Sequence, residues 1–267
     1  MKTRILVAVV GVPILLYIVL LAPEWVLAAA LAALSGVGAY ELLKCVGVKS
    51  GELLCRLTVC FAVWAVLCGW GLPEWLVPSW TLYCLLAFAV AVWRAGAVKT
   101  VHLLAGIFGA VMIPYAFSSF FRIHGLGGHR GYLLLPFILS FACDTFAYFT
   151  GLALGRHKLA PKVSPKKTVE GSIGGLAGNL VCGLLFAFVM NRWFGESIPY
   201  GPMALLALFC GAVAQIGDLS FSLIKREFGI KDYGKIFLAH GGVLDRFDSV
   251  LFVTPVLAAL MRVLRIG

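Results

Sequence analysis

Between Ser220 and Asp248 the chain reads SFSLIKREFGIKDYGKIFLAHGGVLDRFD. About a third of these residues are ionisable, in a protein only 13% charged. Asp218, Ser222 and Lys225 fall at i, i+4 and i+7, so they share one helical face, with Arg226 beside it. Lys231 and Asp232 follow, then His240-Gly241-Gly242, then Asp245-Arg246-Phe247-Asp248. Asp245 and Asp248 stand three apart, so both carboxylates can share a face at a helix start, where the helix dipole favours negative charge. Gathered carboxylates suit a hard cation such as Mg²⁺, which usually also takes substrate phosphates and water. The lysines and arginines suit phosphate oxygens. Exposed charge runs more often just pair and solvate a loop. Here carboxylates, bases, Ser and Gly occur together at helical spacing, which favours a site.

A second cluster lies upstream: Asp144-Thr145-Phe146-Ala147-Tyr148, then Gly151 and Gly155, then RHKLAPKVSPKKTVEGSIGG. Asp144 interrupts an apolar run. An ionisable group at bilayer depth is costly and usually faces a bundle interior or a watery cavity; a hydrogen bond to a neighbouring helix is the structural alternative. Ser164-Pro165-Lys166-Lys167-Thr168 is expected as a polar turn carrying two adjacent cations, suited to substrate or to lipid headgroups. Gly171, Gly175 and Gly178 are spaced for close helix packing. They form no Walker-type loop, since GxxxxGK[ST] is absent.

The elements that must position these residues are membrane helices. Of the 267 residues, 61% are hydrophobic and mean hydropathy is +0.99, whereas soluble domains are roughly 45–50% apolar. Nine candidate spans run over residues 5–21, 25–43, 57–72, 76–93, 101–121, 132–154, 172–194, 202–224 and 248–265. Each approaches the ~20 residues that cross ~30 Å of hydrocarbon. The first is read as a retained helix and not a signal peptide, because its apolar run is long and no A-x-A-like site follows. The expected fold class is therefore all-α: a polytopic integral membrane helix bundle of about nine transmembrane helices. Residues 1–130 are expected as N-terminal, lipid-facing helices. Residues 131–267 are expected as the catalytic region, with charged loops.

With a cytoplasmic N-terminus, 17 of the 22 Lys and Arg fall on the cytoplasmic side; Arg122, Arg130, Arg192, Arg262 and Arg265 fall on the other. The positive-inside rule favours this orientation. The net charge of +10 is thus concentrated on one membrane face, where anionic headgroups and an anionic substrate are natural partners. It does not point to nucleic acid, since no basic domain with interleaved aromatics stands outside the membrane. The eight cysteines contain no CxxC pair and are expected as small buried hydrophobes.

The run Ser222-Leu-Ile-Lys225-Arg226, Lys231-Asp232, His240-Gly241-Gly242, Asp245-Arg246-Phe247-Asp248 resembles the signature of phosphatidate cytidylyltransferases, the CDP-diacylglycerol synthases. Asp144-x-x-Ala147-Tyr148-x-x-Gly151 and Ser164-Pro165-Lys166-Lys167-Thr168-x-Glu170-Gly171 are similar to a second block of that family. The blocks span Asp144 to Asp248; the first 130 residues match only in being hydrophobic and helical. One departure is Leu238-Ala239, where the family usually places Pro-Gly; this loses a preset turn dihedral and a permissive glycine.

The resemblance implies that CTP and phosphatidate react to CDP-diacylglycerol and pyrophosphate with Mg²⁺, a second cation being left open. It implies an integral protein of a bacterial-type plasma (inner) membrane with its active site facing the cytoplasm. On this reading Asp218, Asp245 and Asp248 are the metal ligands. Asp144 contacts metal or nucleotide. Lys225, Arg226, Lys231 and Arg246 hold phosphates, with Lys166 and Lys167 near the triphosphate or lipid phosphate and Ser164 in the same substrate-binding block. Ser222 donates a hydrogen bond, and His240 bonds a phosphate or orders the Gly-Gly turn. Small-residue helix faces are compatible with a homodimer.

Two other classes share some features. A cation-coupled transporter also gathers buried carboxylates, but here the charges cluster at one face and no pseudo-symmetric halves are visible. Another CTP-dependent lipid transferase or kinase is closer; the D-G-x₂-A-R run of CDP-alcohol phosphotransferases is absent.

Overall fold

A computed structural model describes residues 2–126, 129–236 and 241–266, with side chains from residue 9 onward. Among these residues nine long helices follow in order: α1 (Lys2–Leu20), α2 (Glu24–Cys45), α3 (Leu53–Gly71), α4 (Leu76–Trp93), α5 (Thr100–Leu126), α6 (Leu135–Leu154), α7 (Val169–Trp193), α8 (Tyr200–Glu227) and α9 (Leu244–Leu264). Each coincides with one expected span. Eight are long and apolar enough to cross a membrane, and the chain is an integral membrane protein. Large apolar side chains such as Leu85, Val92, Leu185 and Leu205 point outward. In water that would be a fault; in a helix apolar on all faces it is the lipid-facing surface.

One element differs from expectation. Residues 158–168 form a small antiparallel hairpin of β1 (Lys158–Ala160) and β2 (Ser164–Thr168), so Ser164–Thr168 is a strand and not a turn. Lys158 pairs with Thr168 and Ala160 with Ser164, with an irregularity between. Pairing with residues 158–160 supplies ladder partners that the segment's own composition does not advertise.

The chain divides into two compact units, residues 1–121 with 227–247, and residues 122–226 with 248–267. In the first, α2 and α3 pack side by side, tied by the Ser35 hydroxyl donating to the Ala62 carbonyl at 3.0 Å. The Thr58 and Tyr83 hydroxyls meet at 2.7 Å between α3 and α4. These bonds satisfy polar groups that lipid cannot.

In the second unit, α6 and α7 approach closely because glycine faces helix. A Cβ on Gly171 would lie 2.7 Å from the Ala147 carbonyl oxygen, and one on Gly175 would lie 2.9 Å from that of Cys143. On α7, Asn179 donates to the Ala207 carbonyl of α8 at 2.8 Å. Gly217 of α8 lies against the Asp248 backbone and Phe252 of α9. All eight thiols are free. Four are buried as expected, but Cys60 is exposed on α3, at an outward position where a small apolar group suits lipid.

The α6–α7 contact sets a prediction. Gly175→Val is expected to force the helices apart and destabilise the protein by about 1–3 kcal/mol, the usual cost of overpacking. Thermal unfolding in detergent reads this; an unchanged midpoint would show that the glycine contact is not limiting.

Candidate active site

The hairpin is built onto the helix that follows it. Thr168 is the N-cap of α7, its hydroxyl accepting from the Gly171 N–H at 3.1 Å. Glu170, in the first turn of α7, accepts from the Arg156 N–H at 3.0 Å and meets the His157 Nδ1 at 2.6 Å. The His157 carbonyl accepts from the Val169 N–H at 2.9 Å. The chain leaving α6 is thereby stitched to the start of α7, and β2 has little choice of path. Arg226, at the end of α8, donates from Nε to the Val163 carbonyl near the hairpin tip at 3.3 Å. Part of its donor fork, which the resemblance assigns to phosphate, therefore holds the hairpin.

Between these elements lies a cavity of about 550 Å³. Asp144, Ala147, Tyr148, Gly151 and Leu152 of α6 form one wall. The hairpin adds Lys158, Leu159, Lys166, Lys167 and Thr168, and Gly171, Ser172, Gln215 and Asp218 close the rest. Apolar and charged groups thus share one cavity. Lys167 Nζ forms an ion pair with Asp218 Oδ2. The other carboxylate oxygen, Oδ1, accepts from Ser222 at 3.2 Å. Asp144 is within electrostatic reach of both Asp218 and Lys167. Asp248 is within reach of Asp218 and Asp144, which repel it, and of Lys225, which attracts it. Its Oδ1 also accepts from the Ser249 N–H at 2.8 Å. Ser222 and Lys225 are buried and Lys166 is exposed.

The structure therefore brings together Asp144, Lys166, Lys167, Asp218, Ser222, Lys225 and Asp248, all within the second unit. Ser164 starts β2 opposite Ala160 and is not among the groups lining the cavity.

Asp245 belongs to the first unit and is engaged elsewhere. Its Oδ2 accepts from the Tyr233 N–H at 2.8 Å and the Gly242 N–H at 2.9 Å. Asp218 and Asp248, the other two expected ligands, belong to the second unit. Among the described residues no three His, Cys, Asp or Glu side chains gather as a metal-binding group. A Mg²⁺ site needs only one or two carboxylates when phosphates and water complete it, and Asp218 and Asp248 fit that requirement. Lys231, Asp232 and Arg246 are exposed in the first unit. His240 and Leu238-Ala239 lie outside the described residues.

Two features escaped the sequence reading. Gln215 donates to the Ser172 carbonyl at 3.1 Å and accepts from the Ser172 hydroxyl, linking α8 to α7 at the cavity wall. Glu41 is buried on α2 and accepts from the Val243 and Leu244 N–H groups at 3.1 and 2.9 Å. A carboxylate within an apolar helix was the available signal for Glu41; Gln215 offered none.

A profile of the cytidylyltransferase family matches residues 2–264. The chain belongs to the cytidylyltransferase family. It is accordingly a nucleotidyltransferase. Similar proteins include the phosphatidate cytidylyltransferase of Bacillus subtilis (strain 168), 32% identical over 98% of this chain and 97% of its own. The phosphatidate cytidylyltransferase of Staphylococcus aureus (strain COL) is 41% identical over 56% of this chain and 55% of its own. That of Staphylococcus saprophyticus is 42% identical over 49% and 48%.

The hairpin anchor is open to direct test. Thr168→Ala is expected to cost about 1 kcal/mol, the usual loss for an N-cap. Trypsin should then cut within residues 156–168 faster than in the parent while the helices stay intact. Equal cleavage rates would remove Thr168 as the anchor.

Proposed function

We propose that this enzyme is a phosphatidate cytidylyltransferase, which converts CTP and phosphatidate to CDP-diacylglycerol and pyrophosphate at the cytoplasmic face of a bacterial plasma membrane. The observation that carries the reading is the mixed cavity. Asp144, Lys166, Lys167 and Asp218 stand beside Ala147, Tyr148, Leu152 and Leu159 in the same 550 Å³ space. A lipid phosphate presents those two chemistries together, a polyanionic head on an apolar body.

A phosphatidate phosphate oxygen attacks the α-phosphorus of CTP. The new P–O bond forms as the bond from the α-phosphorus to the α–β bridging oxygen breaks, and pyrophosphate leaves with that oxygen. A phosphate monoester is already a competent nucleophile, so no enzyme nucleophile is required. Catalysis then rests on positioning and charge neutralisation.

Lys167, now paired with Asp218, and Lys166 supply ammonium donors for the triphosphate or lipid phosphate. Ser222 holds Asp218 in place. Lys225 balances Asp248, and Arg226 keeps the hairpin tip at α8. Asp218 and Asp248 are the candidate Mg²⁺ ligands, with Asp144 as a further one or as a nucleotide contact. When bound, the cation offsets phosphate charge and aligns the reacting groups. Lys231 and Arg246 are assigned to triphosphate oxygens, and Asp245 to ordering the segment that carries Lys231. The C-terminal helices and their charged loops carry the chemistry.

The test is an assay of purified protein with phosphatidate micelles, CTP and Mg²⁺, scored for pyrophosphate. Release of CDP instead would indicate a lipid kinase. Asp218→Asn and Asp248→Asn are each expected to lower turnover by about 10²-fold or more, on the scale of losing one stabilising group in a transition state, with folding intact. Near-normal rates in both would reject the metal assignment. Chelation should abolish activity and Mg²⁺ restore it.

A further inference from the structure

The segment 227–247 carries Lys231, Asp232, Asp245 and Arg246, yet over residues 228–243 it has no helix or strand among its described residues. A loop of that length holds one conformation only if its backbone groups are tied down. Glu41 of α2, nearly two hundred residues earlier in the chain, ties down the described residues at its returning end. Its relative exposure is 2%. Oε1 accepts from the Val243 N–H at 3.1 Å and Oε2 from the Leu244 N–H at 2.9 Å. Both donors lie where α9 begins and lack an intrahelical partner.

Two glycines of the loop close over the same carboxylate. A Cβ at Gly234 or at Gly242 would collide with Glu41 oxygen atoms. Glycine at 242 is therefore a packing requirement set by Glu41, whereas Gly241 is required by its φ of +85°. Asp245 supplies a second tie from within, joining the Tyr233 and Gly242 N–H groups through one oxygen. The loop's outgoing limb (Tyr233, Gly234) and returning limb (Gly242 to Leu244) are thus gathered around two carboxylates.

We infer that Glu41 is a positioning residue for the proposed cytidylyl transfer. It touches no reacting atom. It holds the two described limbs, Gly234 and Gly242 to Leu244, next to Lys231 and Arg246, the side chains assigned to the triphosphate. This rests on the functional reading above only for the assignment of those two side chains. The geometry demands two acceptor oxygens at glutamate length. Glutamine has nearly the same shape but offers one oxygen and turns an NH₂ toward an N–H. Aspartate keeps the charge but is one methylene short.

The experiment combines hydrogen exchange with kinetics on the full-length protein in detergent. In Glu41→Gln, amide protection at Val243 and Leu244 is expected to fall about tenfold or more, the scale of losing a buried hydrogen bond to a charged group. The KM for CTP is expected to rise by a similar factor, with the KM for phosphatidate unchanged. Parent-like exchange at both amides together with a parent-like KM for CTP would overturn the inference. So would a uniform loss of kcat that tracks only the folded fraction.

Gly242→Ala gives the second handle, because it pushes a methyl group into the carboxylate from the other side. It should reproduce the exchange and KM changes in the parent. It should cost markedly less when Glu41 is already alanine; equal cost in both backgrounds would show that the two residues do not act on each other. If the parent protein releases no pyrophosphate from CTP and any phospholipid acid, the functional reading fails, while the exchange results still decide the role of Glu41.

Discussion

The Lys167–Asp218 ion pair is the contact on which the candidate site depends. It ties a strand of the hairpin to the face of α8, so that the hairpin and a long apolar helix bound one cavity. Near a membrane a lone carboxylate is costly, and a lone ammonium is too. Pairing offsets both costs, and Ser222 satisfies the second oxygen. Breaking such a pair by removing one partner is more damaging than never having it, because the remaining charge is stranded. Asp144 and Asp248 then add two more negative groups within range. Asp144, Asp218 and Asp248 thus stand within electrostatic range of one another, with Lys167 and Lys225 as counter-charges.

Two different devices hold the charged segments still. The hairpin is short and is secured at its base by a helix cap, a glutamate in the first turn of α7 and backbone bonds. The segment before α9 is longer and has no helix or strand among its described residues, and buried or half-buried carboxylates collect its N–H groups. Both devices use the same physics. A carboxylate collects backbone N–H groups: Glu170 those of Arg156 and His157, Asp245 those of Tyr233 and Gly242, and Glu41 those of Val243 and Leu244. Acidic residues in this chain are few, 12 of 267, and several of them are spent in this way.

That economy explains which residues could be misread. Asp245 and Asp248 look alike in the sequence, three apart at one helix start. One serves the backbone of its own loop, and the other stands among the carboxylates of α6 and α8. Glu170 likewise resembles a ligand by type but holds the hairpin base. Carboxylate spacing identifies a helix face; it does not say whether backbone N–H groups have already claimed that face.

The amino-acid sequence alone determined the nine helices. Each is an apolar run of about membrane length, a local property that needs no knowledge of neighbours. It also determined the two charged blocks, because charge in so apolar a chain stands out wherever it falls. What only the tertiary structure decided depends on partners distant in the chain. Ser164–Thr168 became a strand by pairing with residues 158–160. Asp218 acquired Lys167 as its counter-ion across fifty residues. Glu41 and Gly242, some two hundred residues apart, were fitted to each other. Hydropathy and spacing record what each residue is and what stands next to it. Hydrogen bonds, ion pairs and close glycine contacts are fixed by which segments meet, and that information exists only in the folded chain.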